Sequence, residues 1–378
     1  MKNVCFIVSS PMTAKVFLRG HIDALSQNRH VDLIANFGNN PPEDFGADVR
    51  TIDIPIRRDM STLQDLLALM GLIKAFLRIR YDVIHSLTPK AGFLAMIAGF
   101  LARIPIRIHT FTGQIWVTRT GVARQALKYA DKLLALFATR ILVDSPSQKK
   151  FLIEQGVITA EKSTVLAKGS VCGIDTARFR PDPAERTAIR AALGIPDNDL
   201  VFLYLGRLNY DKGILDLAHA FSTLCDDHAS IHLMIAGPDE ERIKPKVQDI
   251  CSGHPERLHM VDYTDTPERY MAAADVFCLP SYREGFGSVI IEAASVGIPA
   301  IGSRIYGITD AIEENVTGLL HPAGNVEELC NAMSRLILDP VLRKSLGETA
   351  RIRAGNDFAK ETLTRALLDY YQKLLGIP

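Results

Sequence analysis

Short β-rich runs alternate with helix-patterned segments along almost the whole chain, and the series starts twice. In the first half the runs are Asn3–Ser9, Val31–Phe37, Asp82–Thr88, Ile106–Thr112, Arg140–Ser145 and Ser163–Ala167. Helical patterns such as Thr62–Ile79 and Val122–Thr139 fall between them. In the second half the runs are Leu200–Gly206, Ile231–Gly237, Arg257–Tyr263, Asp275–Ser281 and Pro299–Ser303, again with helical segments between. Such alternation predicts parallel sheets with helices on both faces. A chain of 378 residues is also too long for one ordinary core. The expected architecture is therefore two doubly wound α/β domains. The polar, proline-containing stretch 176–198 reads as their junction.

The remaining totals exclude several classes. Six cysteines stand singly, with no C-x-x-C pair, and several lie in apolar runs. They read as buried free thiols rather than as disulfides or metal ligands. The oiliest windows, 66–77 and 91–102, fall short of the roughly 18 apolar residues that a membrane-spanning helix needs. The chain is thus expected to be soluble or peripheral. Net charge is zero, yet residues 1–180 carry 24 Lys/Arg against 14 Asp/Glu, and the second half mirrors that excess with acid. A basic first half suits an anionic surface or a lipid diphosphate. No nucleic-acid-reading motif accompanies it.

In open α/β sheets, ligands bind beyond the carboxyl ends of the strands, so the loops there matter most. One is "GRLNYDKG", in which Arg207 and Lys212 lie between a strand end and a helix start. Two fixed cations at such a place suit a diphosphate. Another is "SYREGFGSVIIEAASVG", Ser281 to Gly297. Gly285 and Gly287 allow a tight turn, and a helix starting near Ser288 offers free N–H groups to a phosphate oxygen. Glu284 precedes the turn and can accept from sugar hydroxyls. Glu292 lies a turn inside the helix, where its fork of acceptors matches a ribose diol. Alone, Glu292 reads better as an acid complementing the helix dipole; beside Arg207 and Lys212 the ribose role prevails.

The combination of "GRL…DKG" with an E-x7-E pair around a glycine-rich turn resembles the retaining glycosyltransferases of family 4, over essentially the whole chain. "HTFTGQIW" (His109–Trp116) and "DSPSQKKFLIEQG" (Asp144–Gly156) are similar to the bacterial branch that builds O-antigens, capsules and related glycans. Similar members add an N-acetylhexosamine to an undecaprenyl-diphosphate-linked sugar, as do the transferases acting after bacillosamine or N-acetylfucosamine. The resemblance implies the GT-B fold, two Rossmann-like doubly wound parallel-sheet domains facing across a cleft. Residues 1–180 would bind the acceptor and 181–355 the nucleotide sugar. The helix of 356–378 would pack back on the N-terminal domain.

By position, the resemblance implies that Arg207 and Lys212 bind the donor diphosphate and stabilise it as it leaves. Glu284 would contact the donor hexose, near the backbone N–H groups of Phe286, Gly287, Ser288 and Val289. Glu292 would hold the ribose, and Tyr263 would lie by the uracil. Three departures stand out. "SSPMTAKVFLRGH" replaces a common Gly-Gly pair after the first strand. "YTDTP" replaces a glycine-led turn at Tyr263. A common T-x-H-G motif is matched by Thr110 to Gly113, which leaves Thr112 or His109 as alternatives for the donor hexose.

The implied reaction is front-face substitution from a UDP-sugar, with no cofactor and no metal. The implied partners are a lipid-diphosphate-linked saccharide and an anionic membrane surface. The implied location is the cytoplasm, peripheral on the inner face of the bacterial cytoplasmic membrane. Basic residues at Arg57, Arg58, Lys74, Arg78, Arg80 and Arg119–Lys132, beside Leu127, Leu133, Leu134 and Leu136, form the expected membrane-facing surface. Most of those leucines also fit a core. The alternative enzyme is a GT-B-fold nucleotide-sugar 2-epimerase, which shares donor and architecture. A dinucleotide oxidoreductase is disfavoured, because no G-x-G-x-x-G opens a helix after Val4–Ser9 or Val201–Leu205.

Overall fold

The computed structural model describes residues 2–38, 45–46, 49–57 and 61–376. They form two units, 1–173 with 360–378, and 174–359. The chain leaves the first unit seven residues before the expected boundary at 180 and returns to it four residues after the expected one at 355.

The first unit holds a seven-stranded sheet in the order β3-β2-β1-β4-β5-β6-β7, parallel throughout. Its strands are β1 Asn3–Ile7, β2 His30–Ala35, β3 Val49–Asp53, β4 Val83–Ser86, β5 Ile106–Phe111, β6 Arg140–Val143 and β7 Ser163–Val165. The connecting helices are α1 Pro11–Phe17, α2 Arg19–Ser26, α3 Thr62–Ile79, α4 Pro89–Leu101, α5 Gly121–Phe137 and α6 Pro146–Glu154. Helices cover both faces, so the central strands read as unbroken apolar runs rather than alternating ones. Val4, Cys5, Phe6 and Ile7 are all buried, Cys5 and Ile7 in one apolar cluster and Val4 and Phe6 in another.

The second unit repeats the design with six parallel strands in the order β10-β9-β8-β11-β12-β13. These are β8 Leu200–Leu205, β9 Ile231–Ala236, β10 Leu258–Val261, β11 Val276–Leu279, β12 Ala300–Ser303 and β13 Gly318–His321. Its helices are α7 Pro183–Leu193, α8 Ile214–Asp227, α9 Lys244–Ile250, α10 Pro267–Ala273, α11 Ser288–Val296, α12 Ile308–Ala311, α13 Val326–Leu338 and α14 Pro340–Phe358. The last helix, α15 Lys360–Leu375, belongs to the first unit, where Leu367 and Tyr371 enter the apolar cluster with α2 and β1.

Two expectations need correction. The stretch read as a junction contains α7, a helix of the second unit. Asp182 caps it by accepting from the N–H groups of Ala184 and Glu185, Pro183 stands at its first turn, and Gly194 closes it at φ +68. The density of proline and charge there is helix punctuation, not a linker. The strand series also missed β3 and β13. Each is an edge strand paired on one side only, and β3, "VRTID", brings little apolar residue to bury.

All six cysteines are free. No described helix is long and apolar enough to cross a membrane.

Candidate functional site

Strand order in the second unit reverses between β8 and β11, which are neighbours in the sheet but not in sequence. Loops leaving such strands diverge and open a crevice at their carboxyl ends. The loop after β8 carries Arg207 and Lys212, and the loop after β11 carries Glu284. The two loops touch through their backbones. The Tyr282 N–H donates to the Asp211 carbonyl at 2.9 Å. Gly213, at φ +67, lies so close to Pro280 that a Cβ would come within 2.0 Å of its carbonyl oxygen. Only glycine meets both demands.

Side chains complete the contact. Lys212 Nζ donates to Glu284 Oε1 at 2.6 Å, and Ser281 Oγ donates to the same oxygen at 3.0 Å. The pair is largely withdrawn from water, 13% and 15% exposed. Arg283 donates to Asp211 Oδ2 at 2.6 Å, bracing the turn that presents Lys212. Arg207 is half exposed and donates to Glu240 Oε2 at 3.2 Å, an oxygen that also accepts from Asn209 Nδ2. Both cations are thus held by carboxylates at the mouth of the crevice, where a diphosphate would compete for them. Ser281, Asp211 and Glu240 were not singled out from the sequence. They are ordinary polar loop residues until the two loops are seen together.

Past Glu284 the chain enters α11. Of the two glycines in the turn, Gly287 alone takes the left-handed conformation, φ +79, as the residue before the helix. Phe286 is buried against Phe358 and anchors the turn. Ser288 and Val289 are half-buried at the first turn of α11.

Glu292 is half-buried one turn inside, and no hydrogen bond to its carboxylate is found among the described residues. Burial pushes its carboxyl up to about 7, against the pull of Arg178, with the Glu268 charge adding to the rise. Arg178 ties this corner together. Its Nε donates to Glu268 Oε2 at 2.9 Å and its Nη2 to the Asp265 carbonyl at 2.5 Å. Tyr263, largely exposed beyond β10, donates to Asp265 Oδ1 at 2.8 Å. Glu292 and Tyr263 therefore belong to one cluster, and Lys212, Arg207 and Glu284 to another. Arg178 was missed, because it precedes the second series of strands and no motif marks it.

The two alternatives in the first unit differ in burial. His109 lies in β5 with 1% exposure, its Nδ1 2.9 Å from Ser86 Oγ. Its ring faces α4, where a Cβ on Gly92 would come within 2.3 Å of it, and burial pushes its pKa down to about 3. Thr112 stands just past the carboxyl end of β5 and is half-buried.

The expected membrane-facing leucines of α5 divide. Leu134 is core, Leu127 and Leu133 are half-buried, and Leu136 is exposed. Arg58 lies outside the described residues. The barest apolar stripe is instead on α3, where Leu63, Leu66, Leu67, Met70 and Leu77 are all more than half exposed. Among the described residues no group of three or more His, Cys, Asp or Glu side chains is placed to hold a metal ion.

Two family profiles match the chain. "Glycosyl transferases group 1" matches residues 185–353, and "Glycosyl transferase 4-like domain" matches residues 16–169. The chain is 28% identical over 361 residues to the capsular polysaccharide biosynthesis glycosyltransferase CapM of Staphylococcus aureus, spanning 95% of this chain and 94% of that protein. It is 32% identical to the D-inositol 3-phosphate glycosyltransferase of Saccharomonospora viridis, over 78% of this chain and 71% of that one. It is 28% identical to the UDP-Gal:alpha-D-GlcNAc-diphosphoundecaprenol alpha-1,3-galactosyltransferase of Escherichia coli, over 82% and 80%. Among solved structures, Anabaena Alr3699/HepE in complex with UDP-glucose superposes with a TM-score of 0.82 at 21% identity, covering 99% of this chain and 100% of that one.

Proposed function

The chain belongs to the group 1 glycosyl transferases and has their GT-B fold, and from that premise we propose that it is a retaining glycosyltransferase of surface-polysaccharide assembly. It moves a sugar, an N-acetylhexosamine, from a UDP-sugar to a saccharide linked to a lipid diphosphate. The observation that carries this reading is the Lys212–Glu284 pair at the sheet reversal of the second unit, with Arg207 beside it and the start of α11 beyond it. The 2-epimerase alternative is disfavoured, since the relatives named above are transferases. The CapM and Escherichia coli relatives support the polysaccharide role and the lipid-diphosphate acceptor.

In this reading the donor diphosphate lies between Lys212, Arg207 and the first N–H groups of α11. The ribose takes Glu292, the uracil lies near Tyr263, and the hexose meets Glu284. The acceptor hydroxyl attacks the anomeric carbon on the face that the diphosphate leaves. The departing phosphate oxygen takes its proton. Glu284 is engaged by Lys212 and Ser281 and is a poor double-displacement nucleophile. The protein accelerates the step by orientation and by placing positive charge where negative charge develops. Because side chains supply that charge, activity should persist in EDTA. The test is a panel of UDP-sugars with a short-prenyl diphosphate monosaccharide, assayed in chelator by mass spectrometry. Transfer with retained configuration is expected. Activity that vanishes in chelator and returns with Mg²⁺ would overturn the metal-free mechanism.

Glu292 gives donor binding a pH dependence. A ribose diol donates to the ionised carboxylate and so favours it. Since the free carboxyl titrates at about 7, binding releases a proton. Affinity for UDP-glucose, whose diphosphate does not titrate in this range, should rise between about pH 6 and pH 8. The Glu292→Gln variant should bind more weakly and with a flat profile. In the free protein the sign is opposite. A carboxyl whose folded value lies above its ordinary 4.5 costs stability as pH rises from 4.5 to about 7. Titration calorimetry reads the first effect and scanning calorimetry the second, each across its own pH range; a wild-type affinity independent of pH would remove Glu292 from the ribose.

The partner surface is assigned to α3 rather than to the leucines of α5. Its exposed leucines recur at helical spacing, with Lys74 and Arg78 exposed among them. An apolar stripe edged by cations suits the boundary of an anionic bilayer. The protein should float with phosphatidylglycerol vesicles at low salt, and Leu66→Glu with Leu67→Glu should abolish flotation. Equal flotation of that variant would place the contact elsewhere.

A further inference from the structure

The first unit's sheet has an open recess of about 380 Å³ at its amino-terminal edge, the end opposite the one where such sheets bind their ligands. Its lining includes Asn3, His30, Asp32, Arg50, Ile79 and Tyr81. The register explains how these residues meet. Asn3 opens β1 beside His30, which opens β2. Two residues further in, Asp32 lies beside Arg50 of β3. Positions two apart on a strand share a face, so the four side chains stand on one side of the sheet. Ile79, at the end of α3, and Tyr81, just before β4, complete the lining.

Asp32 and Tyr81 are buried, and the Asp32 carboxylate takes three donors. Arg50 Nε donates to Oδ1 at 3.2 Å, Arg50 Nη2 donates to Oδ2 at 2.5 Å, and the Tyr81 hydroxyl donates to Oδ2 as well. Nε and Nη2 make one fork of the guanidinium. The other fork, Nη1 with the second Nη2 hydrogen, has no acceptor among the described residues, and the side chain is 59% exposed. The Asn3 amide and the His30 imidazole also have no partner among the described residues. The surrounding charge is positive. Arg29 precedes His30, and Arg78 and Arg80 flank Ile79. The nearest acids are offset, Asp32 by Arg50 and Asp82 by Lys2 and the Asn3 N–H.

A plain cross-strand ion pair needs no buried acid, no tyrosine behind it and no open space beside it. A guanidinium locked through one fork presents the other already oriented, with little freedom left to lose on binding. That fork, an amide and an imidazole supply donors for three oxygens, which a phosphomonoester has and a carboxylate lacks. The recess is near the small end of ligand pockets, about 300–1,000 Å³, and leaves room for a body of sugar size against Ile79. We infer that it binds a phosphomonoester, with Arg50 as the main contact. β1 is five residues long, roughly 15 Å, so a ligand here lies a strand's length from the carboxyl ends of β1 and β2. It is an additional ligand, and the inference holds whichever sugar the chain transfers.

The test titrates the full chain with glucose 6-phosphate in a calorimeter. Binding is expected, and Arg50→Lys should weaken it about 10–100-fold, because lysine keeps a charge beside Asp32 but has no second fork. Asn3→Ala combined with His30→Ala should weaken it too, at an unchanged melting temperature, since neither side chain is bonded within the protein. That double variant answers the question should Arg50→Lys fold poorly. Lys212→Ala should bind as the wild type does. Flotation with phosphatidic acid vesicles separates the two sources of the phosphate. Flotation that falls in both variants assigns it to a lipid headgroup, and sugar-phosphate binding with flotation that both variants keep assigns it to a soluble ligand. Sugar-phosphate binding that both variants retain, or that Lys212→Ala removes, would overturn the inference. So would a wild type that binds no sugar phosphate and floats no better than the variants.

Discussion

Lys212→Ala is expected to lower kcat by about 10²–10³-fold, the cost typical of removing one preorganised contact to developing charge. Two losses combine. In the proposed reaction the leaving diphosphate loses a cation that the loop after β8 holds in place. Glu284, left with Ser281 as its remaining donor, becomes a carboxylate short of a partner in a site mostly closed to water. The donor KM should change less than kcat, because the interaction strengthens as the bond to the diphosphate breaks. Lys212→Arg restores the charge but not its point-like reach, and should recover only part of the rate. Steady-state kinetics with saturating acceptor decide the matter. A kcat within a factor of three of wild type would show that the leaving group is stabilised by other residues.

The second large effect is on stability. Asp275→Ala should destabilise the protein by about 3–5 kcal/mol, the range for breaking a buried pair by removing one partner. Arg190 of α7 is fully buried. Its Nη2 donates to Asp275 Oδ2 at 2.7 Å, its Nε to the Ala273 carbonyl, and its Nη1 to the carbonyls of Pro196, Asp197 and Asp199. Asp275 also accepts from the Val201 N–H at 2.8 Å and from Arg186 at 2.8 Å, so it joins α7 to the starts of β8 and β11. Without the carboxylate, a guanidinium stays buried among carbonyls with no opposite charge. Asp275→Ala combined with Arg190→Met should recover much of the loss, because the buried charge leaves too. Urea unfolding of the four proteins measures the coupling. A single-variant cost below about 1 kcal/mol would mean that water reaches Arg190.

These two residues show what a sequence displays and what it hides. Lys212 and Glu284, which the fold pairs, each sit in a short segment of unusual composition at a strand end. The β-α alternation told which ends to search. Arg190 and Asp275 are 85 positions apart in ordinary surroundings, and nothing local links them. The helix between 183 and 193 has local signals in Asp182, Pro183 and Gly194, but its prolines and charges equally fit a break between domains. Edge strands β3 and β13 were hidden for another reason: half of what makes them strands is supplied by β2 and β12. In the first unit, Asp144 lies inside the segment Asp144–Gly156, but that its Oδ1 stays buried without a partner is a property of the folded neighbourhood alone. His109 and Thr112, three residues apart, differ in the same way: His109 is buried within β5, and Thr112 stands half-buried past its carboxyl end.

The return of α15 to the first unit bears on how the protein is made. A ribosome releases β1 to β7 early, yet one face of their sheet lacks Leu367 and Tyr371, the latter bonded to His85 from the last turns of the chain. The second unit is contiguous and can close as soon as it emerges. The first must hold an uncovered apolar groove through the whole of that interval, at roughly 5–20 residues added per second. The unit whose strands emerge first is thus completed after the other, and a nascent chain stalled short of α15 carries a complete second unit beside a first that exposes its core.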